Sequence, residues 1–179
     1  MTKIIICPQK QGGLSALLCR ALGKNGGALY LGDDSIKSHG ALSPEFIVIE
    51  RKSALNIYTG NTLIFLNGEN DVFVSSECIG KTVAVYEYGN SAAELFAQKQ
   101  GLESVSFGMN SESGVTVSSL ASDFLSVCVT RSIPVLPAGR LEECEITVKA
   151  PGVFLPDVIL PVCTALIICR KLENGSITL

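Results

Sequence analysis

Gly12, Gly13 and Ser15 stand between an apolar segment, Lys3 to Cys7, and a segment with helical spacing of apolar residues, Leu14 to Leu22. A glycine loop in that position presents backbone N–H groups at the start of a helix, where the positive end of the helix dipole favours an anion. The chemistry expected of this trio is phosphate binding, with the Ser15 hydroxyl as the group that could reach a magnesium ion. Lys10 precedes the glycines, on the wrong side of the loop for a cation that must reach the outer phosphates of a nucleotide. After Gly12 the lysine position of such a loop is filled by Gly13 and the next by Leu14. An ordinary strand-to-helix turn accounts for the same residues.

Glu50 closes a second apolar run, Phe46 to Ile49, and a carboxylate at the carboxyl end of a buried strand is placed to hold magnesium. The alternative is a surface carboxylate paired with Arg51 or Lys52. Asn67, Glu69 and Asp71 follow a third run, Thr62 to Leu66, with Asn67 a candidate ligand contact and Asp71 a candidate second metal ligand. Turn chemistry explains the Asn-Gly and Asn-Asp pairs equally well. Asn90 either contacts a ligand or caps the helix that follows it. His39, the single histidine, could act as a general base, but no nucleophile or acid partner can be named for it, and an exposed turn residue in Ser-His-Gly is the expectation. No residue is assigned a catalytic role.

The elements that must position these groups alternate along the chain. Lys3 to Cys7 reads as a strand and Leu14 to Leu22 as a helix ended by Gly23. Three strands are expected at Ala28 to Leu31, Phe46 to Ile49 and Thr62 to Leu66, separated by Gly, Pro and Asp turns. Strand Thr82 to Tyr86, helix Ser91 to Gln100 capped by Asn90 or Ser91 and closed by Gly101, and strand Ser104 to Phe107 make a βαβ unit with parallel pairing. From Gly114 onward alternating residues predict antiparallel strands at Val115 and Val117, Phe124 to Thr130 and Glu145 to Lys149. A last helix, Asp157 to Arg170, is expected to be buried.

With 179 residues, 47% of them hydrophobic, and a mean hydropathy of +0.38, the chain suits one domain, 1–179, whose strands are buried on both faces. Part of that apolar surplus could serve a homo-oligomer or another protein partner. The apolar run from Val158 to Cys169 is twelve residues with Pro161 inside it, too short to insert in a membrane. The N-terminal Ile4-Ile5-Ile6-Cys7 is too short for a signal peptide, so a cytoplasmic protein is expected. Seven cysteines without a Cys-x-x-Cys pair predict buried thiols, with no zinc site. A net charge of −3 and the lack of a basic cluster argue against nucleic acid.

Taken in order, the elements resemble the central, ATP-binding domain of the Mur ligases and their folylpolyglutamate synthase relatives. Cys7 to Ser15 occupies the place of that family's T-G-T-N-G-K-T-[ST] loop, and Phe46 to Ser53 is similar to its strand ending in E-x-S-S. Thr62 to Asp71 is similar to the strand ending in N-I-x-x-D-H, with Asn67 and Asp71 at matching spacing. Thr82 to Phe96, then Val105 to Gly108, resembles the family's strand, N-x-D-D turn, helix and T-F-G. Ala150 to Leu155 stands where L-P-G-x-H-N would precede a helix.

The resemblance implies an α/β, mostly parallel, helix-flanked, P-loop-like sheet with a small antiparallel sheet attached. It implies ATP or ADP and magnesium as ligands, with Gly12, Gly13, Ser15, Asn67 and Asn90 on the nucleotide and Glu50 and Asp71 on the metal. The departures point away from catalysis: Gly13 replaces the P-loop lysine, Val72 the metal-binding histidine, Gly89-Asn90 the acidic pair that faces adenosine, and Phe154-Leu155 the His-Asn pair. The segment from Asp71 to Thr82 is too short for the family's lysine-bearing helix, and no C-terminal ligase domain is expected after Leu179. The expectation is a degenerate, non-catalytic domain that binds a nucleotide, a small ligand or a protein partner, with a link to cell-wall metabolism by analogy. The alternative is an ATP- and magnesium-dependent, ligase-like enzyme whose reduced site is completed by a partner chain.

Overall fold

The structure, a computed structural model, describes residues 1–7, 13–50, 55–66, 72–121, 124–149 and 155–179. Strand β1 (Thr2–Ile6) runs through the middle of an eleven-stranded, mostly parallel sheet. It pairs in parallel with β4 (Phe46–Glu50) on one side and β6 (Thr62–Phe65) on the other. Beyond β4 lie β2 (Ala28–Leu31), parallel, and β3 (Ile36–His39), an antiparallel edge. Beyond β6 lie β8 (Thr82–Glu87) and β9 (Glu103–Phe107), also parallel.

The sheet then changes sense. Strand β10 (Val115–Leu120) joins β9, β11 (Phe124–Val129) runs antiparallel between β10 and β14 (Cys144–Lys149), and β15 (Ser176–Thr178) forms the far edge. The antiparallel strands expected after Gly114 are therefore extensions of the main sheet. Two small sheets stand apart: antiparallel β12 (Ile133–Pro134) with β13 (Arg140–Leu141), and parallel β5 (Leu55–Thr59) with β7 (Val72–Ile79). Both β5 and β7 lie in crossovers between parallel strands of the main sheet, β5 between β4 and β6 across β1 and β7 between the neighbours β6 and β8, where a helix is the usual connection.

Alternation along β1 divides the core. Ile4 and Ile6 face the side covered by α1 (Leu14–Lys24) and α3 (Pro156–Ile168), whereas Ile5 and Cys7 face the side covered by α2 (Ser91–Lys99). All four are buried, which is why the sequence shows a continuous apolar run there instead of alternation. Helix α1 buries Leu14, Leu18, Cys19, Ala21 and Leu22 along one stripe. Helix α3 is apolar on every side and is buried from Ile159 to Ile168, lying between the sheet, α1 and the segment around Leu136, whose N–H donates to the Ile168 carbonyl.

Gly23 does not end α1. It lies inside the helix, where a Cβ would come within 3.0 Å of the His39 Cβ, so the missing side chain lets the end of β3 approach. The helix stops at Asn25-Gly26-Gly27: the Asn25 side chain donates to Ala21 O, the Gly27 N–H donates to Leu22 O, and both glycines have positive φ. Five strands, not three, occupy 28–66. Strand β3, Ile-Lys-Ser-His, is an exposed edge without an apolar face, so its sequence carries no periodic signal, and His39 belongs to that strand opposite Ala28 and not to a turn. Four cysteines, Cys7, Cys19, Cys163 and Cys169, are buried thiols; burial pushes Cys163 and Cys169 up to about 12.

Candidate functional site

The connection leaving β1 passes through α1 to β2 on one flank, and the connection leaving β4 crosses back past β1 to β6 on the other. Such a reversal opens a crevice outside the carboxyl ends of the strands, the usual ligand position in open parallel sheets. The carboxyl end of β1 leads to Gly13, the residue before α1. Gly13 has φ 119°, a Cβ there would meet no described atom within 4 Å, and among the described residues no side chain caps the helix it begins. The first turn of α1 also carries no acidic residue, so its N–H groups keep their partial positive charge.

Ser15 and Glu50, both named from the sequence, come together through a residue that was not. The Tyr30 hydroxyl, on β2, donates to Glu50 Oε2 at 2.9 Å, and the Ser15 hydroxyl lies beside the same phenol oxygen. Parallel register explains the meeting: Tyr30 is opposite Val48, which leaves Glu50 two residues further along the same face of β4. Cys19, one turn after Ser15, faces Glu50 from α1, and burial, reinforced by that carboxylate, pushes its thiol up to about 11. Gly32 belongs to the same arrangement, since a Cβ there would sit 2.6 Å from the Tyr30 hydroxyl. Glu50 is thus engaged by a phenol; Arg51 and Lys52, its expected partners, lie outside the described residues.

Loss of solvent, followed by the bond to Glu50 and the carboxylate charge, raises the Tyr30 phenol above its ordinary value of 10.0, with Ser15 pulling the other way. A raised pKa in the folded state means that the protonated phenol favours folding. This contribution is complete below the unfolded value and is lost as pH rises through the folded one. Tyr30→Phe is expected to cost about 1 kcal/mol at neutral pH, and the gap from wild type should shrink above about pH 10. Denaturant unfolding of both proteins at about pH 8 and about pH 11 checks this; a gap that stays constant across the range contradicts it.

Asn90 is placed elsewhere. Its Oδ1 accepts the Ala93 N–H at 3.1 Å and caps α2, so the capping alternative accounts for its oxygen. Among the described residues no contact joins it to the Ser15–Tyr30–Glu50 group. Asn90→Ala should lower stability by about 1 kcal/mol, read from the urea midpoint, while Asn90→Asp should retain most of it. Gly12, Asn67 and Asp71, with Lys10, Glu69 and the Ala150-Pro151-Gly152-Val153-Phe154 stretch, lie outside the described residues. Among the described residues no group of three or more His, Cys, Asp or Glu side chains is placed to hold a metal ion, and no helix is long and apolar enough to cross a membrane.

Tyr30 and Cys19 escaped sequence reasoning because each sits in an apolar context, Ala-Leu-Tyr-Leu and Leu-Leu-Cys-Arg. Only the pairing of β2 with β4 brings the phenol to the carboxylate, and strand pairing is not written in local periodicity. No protein-family model matches the chain, and no curated protein matches its sequence.

Proposed function

We propose that this chain is a cytoplasmic, non-catalytic, Mur-ligase-central-domain-like scaffold that binds a nucleotide at the carboxyl end of β1. The observation that carries the reading is the start of α1 at Gly13, uncapped among the described residues, which lies at the reversal of strand order with Ser15 and Glu50 beside it. Backbone N–H groups at such a helix start bind phosphate without a lysine, by hydrogen bonding and the helix dipole together. Catalysis is a different demand. Transfer of a phosphoryl group needs preorganised positive charge on the γ-phosphate, and the position that would supply it is Gly13. A role in cell-wall metabolism follows the family resemblance alone.

The second reading, an ATP- and magnesium-dependent enzyme completed by a partner chain, draws on Glu50, whose Oε2 alone receives the Tyr30 bond, so that Oε1 could still meet a cation. Thermal unfolding with ATP or ADP, with and without magnesium, separates the two. Ligand at about a hundred times its dissociation constant stabilises by about 2.7 kcal/mol. The scaffold reading expects a nucleotide shift that survives removal of magnesium and survives Glu50→Ala. A shift that needs magnesium and vanishes in Glu50→Ala supports the enzyme instead and calls for a hydrolysis assay. No shift at millimolar nucleotide removes both.

A further inference from the structure

A groove of about 120 Å³ opens between α1 and α3 and runs along α1 from Leu17, near the start of the helix, to Lys24 at its end. Its floor is aliphatic: Leu17 from α1, and Val158, Ile159 and Val162 from α3. Its rim carries Arg20 and Lys24, which follow Leu17 along one stripe of α1 because residues three and four apart share a helix face. Lys24 donates to the carbonyl oxygen of Leu179, the remaining lining residue, at 3.0 Å. Arg20 is exposed and, among the described residues, forms no ion pair. Among the described residues no acidic side chain lines the groove.

Two cations beside an aliphatic trough form an amphipathic receptor: the trough removes a hydrocarbon tail from water and the rim receives an anionic head. Size limits the tail. A cavity of about 150 Å³ lined by aliphatic side chains accommodates benzene, six carbon atoms, so this groove takes a tail of about four or five carbons. A guanidinium presents parallel N–H donors that match a carboxylate, and Arg20 is the group free to do so. We propose that the groove between α1 and α3 binds a short-chain aliphatic carboxylate, tail on Leu17, Ile159 and Val162 and head on Arg20. Its lining residues are distinct from Gly13, Ser15 and Glu50 at the proposed nucleotide position.

The test titrates straight-chain carboxylates, from acetate to octanoate, into the isotopically labelled full chain and follows methyl resonances by NMR. Saturable shifts are expected at Leu17, Val158, Ile159 and Val162. Affinity should rise about fourfold per methylene up to pentanoate or hexanoate, since each buried methylene contributes that factor, and then level off as the tail outgrows the groove. Butanol, which keeps the four-carbon tail of pentanoate and lacks the charge, should bind about tenfold more weakly than pentanoate, and Arg20→Gln should weaken pentanoate by a similar factor. Val158→Phe, at a half-exposed position, should block all of them without unfolding the protein, as dispersion of the spectrum would confirm. The proposal is overturned if no methyl shift saturates for any chain length, if butanol binds as well as pentanoate, or if affinity neither rises with chain length nor responds to Arg20→Gln.

Discussion

Phe65→Ala should be the most damaging side-chain truncation in this fold, costing about 3–5 kcal/mol. Phe65 ends β6 with no exposed surface, lies between Ile6 of β1 and Val85 of β8, and faces the α1 and α3 side of the sheet. Both flanking residues are held in a parallel ladder on each side, so neither can collapse into the space a missing ring would leave, and the cavity cost adds to the lost transfer energy. For a chain of this length the melting temperature should fall by roughly 8–16 °C. Phe65→Leu, which keeps most of the volume, should lose about 1 kcal/mol, and Ile36→Ala on the exposed edge strand should stay within about 0.5 kcal/mol of wild type. A loss below about 1 kcal/mol for Phe65→Ala would mean that the ring is not packed as described.

Gly40→Ala should cost on the order of 3 kcal/mol, whereas Gly101→Ala should cost about 1 kcal/mol, although both glycines have left-handed backbone. Gly40 has φ 80° and Gly101 has φ 63°, so a side chain pays a similar conformational penalty at each. They differ in what a Cβ would meet. At Gly101, which follows α2, there is open space; at Gly40 the new atom would fall inside the contact radius of the Gly23 carbonyl oxygen, part of the backbone of α1. That carbonyl cannot rotate away without disturbing the helix, and the β3 end that Gly23 admits would have to retreat. Equilibrium unfolding of the two variants side by side measures the difference. Equal losses would show that the approach of 40 to 23 can be relieved at no cost.

The sequence was informative where burial dictates a pattern and silent where pairing does. The apolar runs at 4–7, 46–49, 62–66 and 83–86 are strands because both faces of the sheet are covered, and Asn90 and Gly101 bracket α2 because capping is local chemistry. Strand β3 was invisible since an exposed edge needs no apolar residue, and Gly23 misled since a glycine required for close approach looks the same as one that ends a helix. At the site, Gly13, Ser15 and Glu50 were legible as polar or glycine punctuation after apolar strands. Tyr30 was not, because its partner lies across a strand pair and the residues between them give no hint of register.

The central position of β1 also governs the order of events as the chain is made. Ile5 finds its neighbours only when Ile49 and Ile64 have been synthesised. At about 5–20 residues per second, the triplet Ile4-Ile5-Ile6 waits roughly 2–9 s for its first edge partner and roughly 3–12 s for both. Helix α1 can form in the interval, but it offers only one face. A nascent chain of this design holds an apolar strand unpaired until both partners have emerged, which makes shielding of that strand by a chaperone consequential.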